Sequence, residues 1–246
     1  MIILNMKKPF LFLAVVSIAL ISCKKDTPVD ETAPEVSIET QNSYDDQAAV
    51  EFLQTHYFNA KGKVEELKEG DTTNVKLANL NPITLPSGVV YVVRPGAQPN
   101  PGTTIGSSDI IRLMGVSTTY VATNESDKVK FRSPANFSNP IAISGMPEVD
   151  PSYFYVKKIV LEAGATDIQK QRSYYEIEGF KEGLMKFKSF DIPDETNYNL
   201  QGLIIVPSRA AFARDPHFNY TGISYRNRSF IFNVQVYKTT EAPDPR

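Results

Sequence analysis

Apolar and polar positions change rhythm several times along the chain. Residues 10–21 are apolar almost without a break. Residues 24–42, KKDTPVDETAPEVSIETQN, mix proline, threonine and acids with no hydrophobic period, a composition suited to a tether rather than a folded element. Ala49, Val50, Phe52, Leu53 and Tyr57 then share one face, which predicts a helix over about 44–58. Ser43 is its candidate N-cap, and Asp45 and Asp46 suit the positive end of the helix. From Pro86 the texture turns to short β-branched runs closed by Gly, Pro and Asn, as in SGVVYVVRPGAQPNPG. SDIIRLMGV reads as a second strand, and TTYVAT and KVKFRS as the arms of a hairpin around Asn124–Asp127. SYFYVKKIVLEAG and SYYEIEGF are further strand candidates. In EGFKEGLMKFK, Phe180, Leu184 and Phe187 fall on one helical face opposite Lys181, Glu182, Lys186 and Lys188. Leu203–Val206 and Ser229–Tyr237 read as two last strands, with a polar tail after them.

Many antiparallel strands with one late amphipathic helix predict an α+β fold in which the sheet wraps that helix. The expected organisation is a leader over 1–22, a tether over 23–42 and an N-terminal helical extension over 43–79. The main domain would run over 80–240, with a tail at 241–246.

Composition narrows the function classes. The formal charge of the 246 residues is −2, so nothing points to nucleic acid or an anionic surface as partner. Two histidines and one cysteine leave no zinc site of Cys/His type, and no Ca-loop pattern is present, so neither metal nor cofactor is expected. A hydrolase is a poor reading: there is no GxSxG, and only His56 and His217 could act as bases. The Asn-x-Ser/Thr matches at Asn124, Asn136, Asn219 and Asn227 read as chance.

The single cysteine is informative by position. Lys7 and Lys8 precede the apolar run, which at about a dozen residues suits a signal h-region better than a bilayer span. It ends in LISC, which resembles a bacterial lipobox with Leu20 at −3, Ser22 at −1 and Cys23 to be lipidated. Acyl chains on Cys23 would anchor the mature protein without a transmembrane helix, since each buried CH₂ contributes about 0.8 kcal/mol. Lys24 after the cysteine favours the outer membrane within the cell envelope, with the face it occupies left open.

The order of elements, with their residues, resembles the FKBP-type peptidyl-prolyl cis-trans isomerases. LPSGVVYVVRPGAQPNPG and SDIIRLMGV are similar to the opening strands, SGL-x-Y-x-V, a Gly-rich turn and V-x-V-x-Y-x-G. FRSP stands where the family has F-D-S-S, and IEGFKEGLMKFK resembles its I-x-G-W-x-E-G-L helix start. LIIVPSRAAFA followed by FIFNVQVY resembles the I-P-S-x-x-A-Y-G segment and the final L-I-F-x-V-E-L strand. The collinear matches run from Leu85 to Thr239. The family's usual connection is much shorter than the stretch at about 144–173, so an inserted β-hairpin is expected there.

The resemblance implies a prolyl isomerase or folding chaperone acting on proline-containing exported polypeptides through an aromatic bowl. Phe180 matches the family's floor tryptophan, Phe131 the phenylalanine of F-D-S-S, Phe212 the tyrosine of A-Y-G, and Phe232 the phenylalanine of the last strand. Ile177 matches the residue whose backbone N–H binds a substrate carbonyl, and Ile223 a pocket isoleucine. Arg132 stands at the pocket aspartate, Leu113 at a tyrosine and Ile141 at another phenylalanine, so apolar walls survive where polar handles do not. Two other readings stay open: a catalytically weak or inactive module that binds peptides, and a surface lipoprotein for glycan or nutrient capture.

Overall fold

A computed structural model describes residues 35–243, so the leader, Cys23 and the first part of the tether lie outside the described residues. In chain order the elements are α1 (Ile38–Thr55), β1 (His56–Phe58), β2 (Val64–Glu66), β3 (Ile83–Thr84), β4 (Val90–Val93) and β5 (Thr103–Thr104). They continue with β6 (Ile110–Glu125), β7 (Lys128–Ser138), α2 (Pro140–Ile143), β8 (Glu148–Val149) and α3 (Lys158–Glu162). The last are α4 (Glu178–Leu184), β9 (Lys188–Ser189), β10 (Gly202–Val206) and β11 (Arg228–Thr240). The result is a mixed α+β fold. Seven strands form one antiparallel sheet in the order β3-β4-β10-β11-β6-β7, with β8 paired to β6.

Alternation along the strands gives the sheet two apolar faces, as the period of two requires. Ile204 and Val206 of β10 and Phe230, Phe232, Val234 and Val236 of β11 pack on one side with Phe180 and Leu184 of α4. Leu203, Ile205 and Ile231 face the other way, against Ala49, Phe52 and Leu53 of α1. The sheet is therefore sandwiched between two helices. On the α4 side the approach is close. A Cβ on Gly183 would meet Ile204 at 2.5 Å, and one on Gly179 would meet Val206 at 2.6 Å.

Helix α1 starts earlier than the sequence pattern predicts. Ser37, not Ser43, caps it by accepting from the Thr40 N–H at 3.1 Å, and residues 38–42 are helix rather than tether. Its inward stripe begins with two polar groups, Gln41 and Asp45, which an apolar period cannot reveal. Both are tied into the body. Gln41 donates to the Ala122 carbonyl at 3.2 Å, and Asp45 accepts from the Ser208 N–H at 2.8 Å and its hydroxyl at 2.6 Å. Val50, expected on the apolar face, is exposed.

The two strand runs SDIIRLMGV and TTYVAT fuse into the single long β6. Its hairpin with β7 turns on Ser126 and Asp127, both at positive φ, as a two-residue hairpin turn demands. The β7 pairing is then broken twice. Ser133 adopts a φ of 51°, and the register shift beside Ser117 leaves Phe137 unpaired between Asn136 and Ser138.

The inserted stretch forms no hairpin. After β8 the chain crosses the α4 face through Pro151–Val156, makes the short α3, and returns through a 3-10 turn at Arg172–Tyr174. The aromatic run SYFYV is buried without joining the sheet, because its backbone partners come from elsewhere. The Val156 N–H donates to Glu176 Oε1 at 2.9 Å, and the Val156 carbonyl accepts from Arg172 at 2.8 Å. Glu176 is itself fully buried and neutralised by Arg172 at 2.7 Å and Lys181 at 2.5 Å.

Candidate functional site

The α4 face of the sheet collects a dense group of rings. Phe180, at the start of α4, stacks on Phe232 of β11 with centroids 4.1 Å apart. Phe137, thrown inward by the bulge in β7, meets Phe232 edge-on at 5.9 Å and Phe230 at 5.1 Å. Tyr153 enters from the insertion. Its ring lies 5.6 Å from Phe180, 6.2 Å from Phe232 and 5.0 Å from Phe137. Tyr220, from the loop before β11, closes on Phe137 at 5.6 Å and on Tyr153 at 5.9 Å.

This group opens to the outside through a cleft of about 350 Å³. Phe137, Tyr153 and Tyr220 form its aromatic walls, and Pro140, Ile143 and Met146 its apolar rim. Its polar corner is built from three strands of chain. Glu148 Oε2 accepts from the Ser138 hydroxyl at 2.9 Å and from the Tyr153 hydroxyl at 2.7 Å. Burial, with the Glu148 charge beside it, pushes the Tyr153 hydroxyl well above the usual phenol range, so it stays a protonated donor. Burial also raises Tyr220, whose hydroxyl donates to the Tyr175 carbonyl at 2.8 Å.

The residues singled out from the sequence are distributed unevenly around this cleft. Phe180 and Phe232 are brought together, but beneath Tyr153 rather than open to solvent, and both are fully buried. Ile177, the residue before α4, does offer its backbone N–H toward the cluster. That N–H donates to the Tyr153 carbonyl at 2.8 Å, so the chain itself supplies the acceptor.

Phe131 stands on the opposite face, 6.1 Å from Phe52 of α1 and 5.5 Å from Tyr120. Arg132 beside it is exposed and paired with Glu125 at 2.8 Å. The cause is the length of the β6–β7 hairpin and its two register shifts, which bring Phe137 rather than Phe131 to the ring cluster. Phe212 is not a rim residue. It is buried behind the cluster, 5.8 Å from Tyr225 and 6.1 Å from Phe230. Leu113 is core, and Ile223 packs half-buried on the same cluster without lining the cleft. Ile141 turns away toward Met114 and Tyr237, while its neighbours Pro140 and Ile143 line the cleft.

The cleft residues that sequence reasoning missed are Phe137, Ser138, Glu148, Tyr153 and Tyr220. One signal was present for the first two. Pro134 sits inside the strand FRSPANF, and a proline within a strand marks a bulge or an edge, hence a change of face.

A larger cavity of about 580 Å³ lies on the other side, between α1 and the β3–β4 edge. Its walls are aliphatic, including Ala49, Val50, Leu53 and Leu85, and its polar feature is the Arg209–Asp46 ion pair at 2.6 Å. Without a ring or convergent donors it has less to recognise a ligand with than the aromatic cleft. Neither histidine lines the aromatic cleft. His217 accepts from the Tyr225 N–H at 2.9 Å and stacks on Phe212, and His56 stacks on Phe52 at 3.6 Å. Among the described residues no group of His, Cys, Asp and Glu is placed to hold a metal ion, and no helix is long and apolar enough to cross a membrane.

No protein-family model matches the chain, and no curated protein matches it. Among solved structures it is similar to a peptidyl-prolyl cis-trans isomerase from Pseudomonas syringae pv. tomato. The identity is 10%, the TM-score 0.38, and the alignment covers 84% of this chain and 98% of that one.

Proposed function

We propose that the protein is a folding factor of the FKBP-type prolyl isomerase class, held at the bacterial cell envelope through lipid on Cys23. The observation that carries the reading is the convergence of Phe137, Tyr153 and Tyr220 on an open cleft beside the start of α4. The sequence resemblance assigns the X-Pro site to that side of α4. Phe137-Ser138 then stands in for the family's F-D pair in place of Phe131-Arg132, and Glu148 returns a carboxylate beside it.

The chemistry needs neither nucleophile nor metal. Amide resonance sets a barrier of about 18–20 kcal/mol to the cis/trans flip, and uncatalysed X-Pro exchange takes tens of seconds or longer. The twisted amide has lost its charge separation, so a water-poor wall of rings favours it over the planar form. Each reduction of about 1.36 kcal/mol in the barrier is tenfold in rate. The proline ring would seat against Phe137, Tyr153 and Tyr220, with Pro140, Ile143 and Met146 excluding water.

A second reading, a peptide-binding module without useful catalysis, is favoured by one specific contact. The Tyr153 carbonyl occupies the Ile177 N–H, and the Tyr153 ring covers Phe180. The site therefore has a raised floor and one donor fewer for a substrate carbonyl. Measuring cis/trans exchange in a short prolyl peptide, with the purified full chain in detergent, separates the two. Exchange at least tenfold above background at micromolar protein is expected. A background rate with saturable peptide binding would leave only the second reading, and neither effect would remove both.

A further inference from the structure

The rings of the cleft explain an apolar ligand but not its carboxylate. Glu148, on β8, is half-buried at the cleft wall, and both hydrogen bonds it accepts fall on Oε2. Among the described residues no lysine, arginine or histidine forms an ion pair with it. Two neighbouring cations are engaged elsewhere: Arg112, across the ladder on β6, pairs with Asp194, and Lys157, nearest along the chain, pairs with Asp150 at 3.0 Å. A half-buried carboxylate without a counter-charge is held by hydrogen-bond donors and water alone until a cationic ligand supplies that charge. The walls beside it are the faces and edges of Phe137, Tyr153 and Tyr220, and aromatic faces attract cations rather than anions. The two donors, from Ser138 and Tyr153, hold the carboxylate in place without neutralising it.

We infer that the cleft selects a ligand carrying a positive charge next to its apolar ring, namely a prolyl peptide with lysine or arginine flanking the proline. This rests on the X-Pro reading of the cleft and adds the substrate class to it. Glu148 is the specificity-determining residue. Its free oxygen takes the ammonium or guanidinium while the rings take the proline.

The test uses the full chain and four otherwise identical pentapeptides with Lys-Pro, Ala-Pro, Glu-Pro or Lys-Ala at the centre, titrated by calorimetry. At low salt Lys-Pro is expected to bind about tenfold or more tighter than Glu-Pro, and the gap to narrow in molar salt, as screened charge pairs do. Glu148→Gln keeps an oxygen to accept from Ser138 and Tyr153, and is expected to bring Lys-Pro and Glu-Pro to within about twofold of each other. Equal binding of the three prolyl peptides would overturn the charge selection and leave the X-Pro reading standing. Lys-Ala binding as tightly as Lys-Pro would instead remove proline recognition, and binding of none would overturn both. Should the variant not fold, the peptide series on the unaltered chain decides the matter by itself.

Discussion

Tyr153 shapes the cleft at three points. Its ring fills the space above Phe180 and Phe232, its carbonyl takes the Ile177 amide, and its hydroxyl orients Glu148. Tyr153→Phe keeps the ring and deletes one donor to a half-buried carboxylate, so a loss of about 1–2 kcal/mol is expected, read as a lower urea midpoint with unchanged slope. No change in midpoint would mean that the Tyr153–Glu148 bond contributes nothing. The sequence does not announce this residue. SYFYV is apolar and β-rich whether it joins a sheet or packs across one, and periodicity cannot tell the two apart. Phe131 and Phe137 pose a related problem. Both are phenylalanines on the same strand, and only the bulge between them decides which face each one meets.

At the scale of elements, the attachment of α1 is the least conventional feature. Its inward stripe opens with Gln41 and Asp45, and Asp45 is held by the N–H and hydroxyl of Ser208, next to the end of β10. Burial raises the Asp45 carboxyl above its ordinary value of 3.8, and the hydrogen bonds from Ser208 and Gln41 only partly offset this. The folded chain therefore holds a proton here that the unfolded chain has already released. Stability from this group is complete below about pH 4 and falls as pH rises through the raised folded value. An Asp45→Asn variant has no such titration. The stability of the unaltered chain relative to Asp45→Asn is thus expected to decline on going from about pH 4 toward neutrality, measured as the difference in urea midpoints. A difference that is flat, or that grows with pH, would contradict the assignment. Helix existence was legible here from Ala49, Phe52 and Leu53, but its start was not, since polar residues that bond inward look like tether in a hydropathy pattern. The late helix was legible through Phe180 and Leu184, both buried, but it ends at Leu184, so Phe187 is buried from the turn after it, and Lys181, expected on the polar side, is buried against Glu176.

For the whole molecule, the order of elements came through the sequence better than the site did. Strand, hairpin, short helix, strand and long final strand follow from local rhythm and turn residues, which act over a few positions. The cleft is assembled from β7, β8, the insertion and the loop before β11, segments up to about eighty residues apart, and no local pattern records their meeting. Concave places among the described residues include the aromatic cleft on the α4 side and the aliphatic cavity beside α1. The central claim is that a proline ring binds at the first. Its most direct test is an NMR titration of the full chain, with labelled Phe and Tyr rings and Ala and Leu methyls, against a Lys-Pro peptide. Saturable shifts at Phe137, Tyr153 and Tyr220, with Ala49 and Leu53 unmoved, are the expected result. Shifts confined to Ala49 and Leu53, or none at any of the five, would contradict it.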